Sequence, residues 1–283
     1  MEVEERQGEK KKEDWRPLYK YYKNFEYALD AVANRRIYFP TVDKLNDPFD
    51  CRPKFSLLSC KNESEEDWRA YFFILAKKGS EENITDEEAD LHADGAIKKQ
   101  KHKDLCWLYK ADQSVKNNHK SFLEDNHLRI CSFSQSSRNQ MLWAHYADNH
   151  KGVVLQFRKS ILKGKAFAVE YYDGRITLKR YVDAINRTWK DDDDVLAHGR
   201  LVFGSKSDEW KGEDEIRCFN QNKYLKFEEE MLAGILVGNE CLPHRLEIFQ
   251  KAISAWNRKP KIFKEDSQSS SLIKMNFRRW PDQ

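Results

Sequence analysis

The sequence holds no pair of cysteines spaced C-x-x-C. Its six, at positions 51, 60, 106, 131, 218 and 241, are scattered over a 283-residue chain. A chain of that length closes a core without disulfide staples. The spacing argues against a structural metal site and for reduced thiols in a cytoplasmic protein. No apolar run approaches the roughly 20 residues of a membrane span; Ile235 to Val237, for example, is far shorter. The opening stretch MEVEERQGEKKKED has no apolar segment, so it does not read as a signal peptide. Net charge is almost missing too: 50 basic against 47 acidic side chains leave +3. Any nucleic-acid footprint would have to come from local clustering. Internal repeats are absent, and so is strict β-α-β alternation. That favours an α+β fold over a doubly wound sheet.

Apolar surface is present in quantity: hydrophobic residues make up 40% of the chain and aromatics 13%, enough to close a core. Residues 1–14 are almost all charged and read as a disordered tail; 15–283 read as one α+β domain. Leu18 to Tyr21 predict a strand. Asn24 predicts a cap for a helix that carries Phe25, Ala28, Leu29 and Val32 on one face. Ile37 to Phe39 predict a second strand, stopped at Pro40. The charge-rich stretch 56–128 contains Trp68, Tyr71, Phe72, Ile74, Leu105, Trp107 and Leu108. It reads as two or three amphipathic helices inserted into the main fold. Further strands are predicted at 128–133, 153–157, 167–171, 215–219, 231–237 and, weakly, 272–277. Helices are predicted over 139–149, 178–189 and 243–256.

Four boxes are denser in polar and aromatic residues than packing demands. Asn46, Asp47 and Asp50 around Pro48 set a tight turn, or contact a ligand, or do both. Cys131-Ser132-Phe133-Ser134 leads into Met141 to Asp148, where Trp143, His145 and Tyr146 make either a stacking surface or ordinary core and rim. A Cys131–His145 catalytic pair has no mark of ionisation behind it, and His145 with His150 lacks a metal-binding partner. Val169 to Tyr171 say only strand. In the fourth box, Lys206 to Arg217, a strand that begins near Glu213 would put Glu213, Glu215 and Arg217 on one face. That is either an exposed salt-bridge ladder or a carboxylate poised at a pocket rim.

In this order the boxes resemble a mostly bacterial family, the domain of unknown function numbered 2971. The pattern runs from L-Y-K-Y (Leu18 to Tyr21) through N-D-P-F-D (Asn46 to Asp50) and C-S-F-S to M-L-W-A-H-Y-A-D (Met141 to Asp148). Gly152-Val153, Val169 to Tyr171, the Lys206 to Arg217 box and Ile235 to Gly238 complete it, so the resemblance spans about 18 to 257. Departures are small: an extra serine in the cysteine box, Leu142 between Met141 and Trp143, and Gly212 where an aromatic is usual.

The layout is in turn similar to that of ADP-ribosyltransferases. The similarity implies a mixed, mainly antiparallel sheet core with an inserted helical region. It also implies NAD as co-substrate, a protein or nucleic-acid acceptor, and a role in bacterial toxin or phage-defence systems. No metal is needed, because a carboxylate on the ribose hydroxyls stabilises an oxocarbenium-like state. By that similarity Glu215 is the carboxylate, partly exposed at the cleft rim, and Glu213 is its neighbour. Ser132 or Ser134 is the middle-strand element. Tyr19, Lys20 and Tyr21 stand at the first strand, where the family carries His or Arg; Asn46, Asp47, Trp143, His145, Tyr146 and Arg217 complete the nucleotide site. The competing expectation is a non-catalytic module that binds nucleic acid through Lys98 to Lys103 with Trp107 and Tyr109, or protein through Trp143 and Tyr146.

Overall fold

Local sequence signals set most element boundaries in the computed structural model, which describes residues 17–45, 51, 55–79, 84–125, 127–162, 166–172, 176–189, 203–265 and 277–279. In chain order these form β1 (Leu18–Tyr22), α1 (Phe25–Ala33), β2 (Arg36–Tyr38), α2 (Glu65–Gly79), α3 (Asp86–Lys98), α4 (Leu105–Asp125), β3 (Arg129–Ser134) and α5 (Gln140–Tyr146). There follow β4 (Val153–Phe157), β5 (Ala166–Ala168), β6 (Glu170–Tyr172), α6 (Leu178–Trp189), β7 (Ser205–Ser207), β8 (Glu215–Asn220) and β9 (Tyr224–Lys226). The last are β10 (Leu232–Val237), α7 (Pro243–Ala252), β11 (Lys261–Glu265) and β12 (Phe277–Arg279). The described residues divide between two compact units, one from 1–36, 134–163 and 226–283, the other from 37–133 and 164–225.

In the first unit the strands run in the order β12-β11-β10-β4-β1. All pairings are antiparallel except β10 with β11, which is parallel. β4 is paired along its whole length on both sides, to β1 and to β10. Its sequence is correspondingly apolar, with Val153, Val154, Leu155 and Phe157 all buried. Tyr19 of β1 also lies opposite Ser134. Asn24 caps α1 as expected: its Oδ1 accepts from the N–H groups of Glu26 and Tyr27 at 2.8 and 3.2 Å. The buried face of α1 is Phe25, Ala28, Ala31 and Val32; Leu29 is turned toward its edge.

The second unit contains the order β3-β8-β5, antiparallel where β5 meets β8, and a parallel pair of β6 with β7. The expected insertion is three helices, α2 to α4. Trp68, Tyr71, Phe72 and Ile74 of α2 are buried with Leu108 of α4 and Tyr181, Val182 and Ile185 of α6. Phe55 stacks flat on Tyr181, centroids 4.0 Å apart. Thr85 and Glu88 cap α3 reciprocally.

Several expectations are corrected. The alternation over 167–171 is two strands, because the chain changes partner: the Val169 N–H reaches the Glu215 carbonyl and the Glu170 N–H the Gly204 carbonyl. The helix expected over 139–149 stops at Tyr146, because Asp148, Asn149 and His150 all have positive φ. The strand expected over 215–219 forms as β8 from Glu215, so Glu213 does not share its face with Glu215 and Arg217. Asp214 is left-handed at φ 44°, and Glu213 belongs to a 3-10 turn over Asp208–Glu213. β11 was not expected at all. Of the segment 272–277 only Phe277 lies among the described residues, and Asn46 and Asp47 fall outside them.

Candidate functional site

The fourth box builds a buried cluster of two carboxylates and two cations in the second unit. Glu215 and Arg217 alternate along β8, so both side chains point to the same face, and they are 5% and 0% exposed. Arg217 holds Glu215 bidentately, Nε to Oε1 at 2.8 Å and Nη2 to Oε2 at 3.1 Å. Its Nη1 donates to the Phe203 carbonyl at 2.6 Å and to Cys51 Sγ at 3.2 Å. Lys206 of β7 reaches Glu213 in a short ion pair and Glu215 Oε2 at 3.4 Å. The Lys206 ammonium also lies over the ring of Trp210, 4.9 Å from its centroid. Ser132 of β3 hydrogen-bonds the Glu215 carboxylate. The Glu215 N–H donates to the Tyr171 hydroxyl at 2.9 Å.

Two negative and two positive charges make this quartet neutral in sum, which is what allows it to be buried. Burial by itself would push the Glu215 carboxyl up. The charge and hydrogen bonds of Arg217 outweigh it, helped by Lys206 and Ser132, and bring it down to about 2. Glu215 is therefore ionised at physiological pH and holds no proton to give as a general acid. The Tyr171 phenol is pushed up to about 12, mainly by burial, with the Glu215 N–H hydrogen bond and Lys206 opposing and the two glutamates adding. The expected partial exposure of Glu215 at a cleft rim is wrong: its carboxylate is enclosed by Arg217, Lys206 and Ser132. The ladder reading is corrected in the same way, because the pair faces the interior.

Other expected site residues gather in the first unit. Trp143 is fully buried, its indole N–H donating to the Ser137 carbonyl at 2.8 Å. Tyr21 meets it edge-on at 5.8 Å and donates its hydroxyl to the Ser136 carbonyl at 2.8 Å. Burial, with Tyr19 adding, raises the Tyr21 phenol. Ser134 is buried; its hydroxyl accepts the Ser136 N–H at 3.0 Å. Tyr19 packs against the same cluster. Lys20 is half-buried on β1. His145 is exposed and meets Tyr146 at 6.4 Å, so the aromatic surface expected of Trp143, His145 and Tyr146 is not one surface. A helix puts residues two apart on different sides.

Sequence reasoning passed over Lys206 and Tyr171, although both stand inside boxes it had singled out. Their signal was present: a lysine and a tyrosine on short strands flanking an E-x-E. It also passed over the His150–Glu265 pair, whose members are 115 residues apart. The basic run 98–103 does not form one exposed face. His102 is buried and Lys103 lies 3.7 Å from Glu65. Trp107 packs against the helical core, 5.4 Å from Phe72. Cys131 is buried. Among the described residues no group of three or more His, Cys, Asp or Glu side chains is placed to hold a metal ion, and no helix is long and apolar enough to cross a membrane.

Residues 142–218 match the family model described as a protein of unknown function, DUF2971. The match supports the resemblance over the stretch that runs from Leu142 of α5 to Cys218 of β8. No curated protein and no solved structure matches the chain.

Proposed function

We propose that the protein transfers ADP-ribose from NAD to a protein or nucleic-acid acceptor, in the manner of ADP-ribosyltransferases. The observation that carries this reading is the E-x-E pair of Glu213 and Glu215: two carboxylates that share one lysine, one of them clamped by an arginine and kept ionised. Breaking the bond between nicotinamide and ribose builds positive charge on the sugar. Fixed anions stabilise that charge without having to reorganise. The mainly antiparallel ladders are in keeping with this kind of core.

The two glutamates take different roles in this mechanism. Both oxygens of Glu215 are committed to Arg217, and a substrate would have to dismantle that pair to reach them. Glu215 is a positioning residue, which fixes Lys206 and through it Glu213. Glu213 stands on the turn that also carries Trp210, outside the strand, and its partner Lys206 also lies 3.4 Å from Glu215 Oε2. We assign Glu213 to the ribose hydroxyls. The carboxylates fit the ribose end of NAD, since they accept hydrogen bonds from a diol. The quartet offers less to the pyrophosphate, because both of its cations already hold carboxylates. Incubating the purified protein with labelled NAD, with and without cell lysate, tests the reading. Nicotinamide release with label on a macromolecule is expected; no release under either condition refutes it.

A further inference from the structure

The first unit holds a histidine–carboxylate pair that the proposed reaction leaves unused. His150 Nδ1 lies 3.0 and 2.9 Å from the two oxygens of Glu265, and Glu265 Oε2 also accepts the Asn239 N–H at 3.1 Å. A carboxylate offers only acceptors, so the tautomer that keeps this hydrogen bond has its proton on Nδ1 and its lone pair on Nε2. The imidazole lies flat against the buried Trp143 ring, centroids 5.9 Å apart and planes 12° apart. Its side chain keeps 26% of its surface, against 10% for Glu265.

A left-handed turn at the end of α5 delivers this ring, with the Asn149 and His150 N–H groups donating to the Ala144 and Trp143 carbonyls. Asp148, Asn149 and His150 are consecutive residues at φ 49°, 50° and 66°. Asp and Asn adopt this conformation more readily than most residues, so the cost, on the order of 1 kcal/mol, falls mainly on His150. Gly238 is packed so tightly on His150 that a Cβ there would stand 1.8 Å from the His150 carbonyl oxygen. The Glu240 N–H donates to that same oxygen at 3.1 Å. Strain that surrounding packing holds in place clusters where a side chain must be presented in one pose.

We propose that His150 is a general base, with Glu265 as its orienting partner, for a hydroxyl or water nucleophile brought to the 148–152 turn. In that step the O–H bond breaks, its electron pair stays on oxygen and the proton goes to Nε2. Glu265 compensates the charge that forms on the imidazolium. The assignment stands independently of the ADP-ribose reading. Diethyl pyrocarbonate, which acylates imidazole through its lone pair, tests it on the full chain at neutral pH, with modified histidines identified by peptide mass mapping. His150 is expected to react about fivefold or more faster than the more exposed His145, and Glu265→Gln to slow it about tenfold while His145 is unchanged. A merely structural pair shields His150. Slower modification of His150 than of His145 in the wild-type protein overturns the proposal, as does an unchanged His150 rate in a folded Glu265→Gln variant.

Discussion

Arg217 holds both carboxylate oxygens of Glu215, at 2.8 and 3.1 Å, in a part of the second unit where the two residues are 0% and 5% exposed. Two residues apart on a strand, they make an interior clamp, with the third arm of the guanidinium closed on the Phe203 carbonyl. A pair of this kind adds little over a well-packed apolar pair, but breaking it from one side leaves a charge stranded in the interior.

Glu215→Gln leaves the Arg217 charge without its anion. The variant is expected to lose about 3–5 kcal/mol of stability. Urea unfolding of wild type and variant measures this. A difference below about 1 kcal/mol, the range of exposed pairs, would mean that Arg217 is solvated in the folded protein.

The same pair sets a pH signature. The Glu215 carboxyl is lowered from 4.5 to about 2 in the folded protein, so the unfolded chain binds its proton first on acidification. Its contribution to stability is complete above pH 4.5 and is lost as pH falls toward 2. The gap in unfolding free energy between wild type and Glu215→Gln should hold steady from neutral pH down to 4.5 and narrow below it. A gap that widens with acid would have the wrong sign.

Much of the fold is legible in short-range patterns, and what escapes is long-range. β1, β3 and β4 are announced by aromatic or alternating runs, and α1 by the Asn24 cap. β11 is not. In Lys261-Ile262-Phe263-Lys264-Glu265 only Ile262 is buried, and its partner β10 runs parallel, a pairing that no local turn signals. The end of α5 was half-visible, since Asp148 and Asn149 tolerate left-handed backbone, but helical periodicity runs straight through them. Glu215 and Arg217 stand out in the sequence, yet i and i+2 on a strand say only that they share a face. Which face is buried depends on Phe203, Lys206 and Ser132 arriving from other elements. His150 had no visible partner because Glu265 lies 115 residues away.

His102 gives a second pH dependence, of opposite chemistry. It is 1% exposed and neither ring nitrogen makes a hydrogen bond. Burial, then Lys103, lowers its pKa from 6.5, and Glu65 opposes them. Below pH 6.5 the unfolded chain takes up the proton that the folded chain refuses, so acid weakens the fold. His102→Phe should flatten the decline in stability just below 6.5. An unchanged slope in the variant would show that other groups cause it.

Two glycines should respond to alanine in opposite directions. At Gly238 the new methyl would stand 1.8 Å from a carbonyl oxygen and 2.4 Å from its carbon, both backbone atoms of His150. Gly238→Ala is expected to cost about 3 kcal/mol or more. At Gly95, within α3, a Cβ meets nothing within 4 Å, and alanine should stabilise by about 0.5–1 kcal/mol. Thermal unfolding of the two variants checks both signs.

Nicotinamide release from NAD by Glu213→Gln, set against wild type, tests the proposed reaction most directly. Glutamine keeps the shape and hydrogen bonding of Glu213 but removes the charge assigned to the ribose. Wild type should turn over NAD, and the variant should be slower by about 10² or more while remaining folded. Equal turnover in the folded variant, or none in the wild-type protein, contradicts the assignment of this site to ADP-ribose transfer.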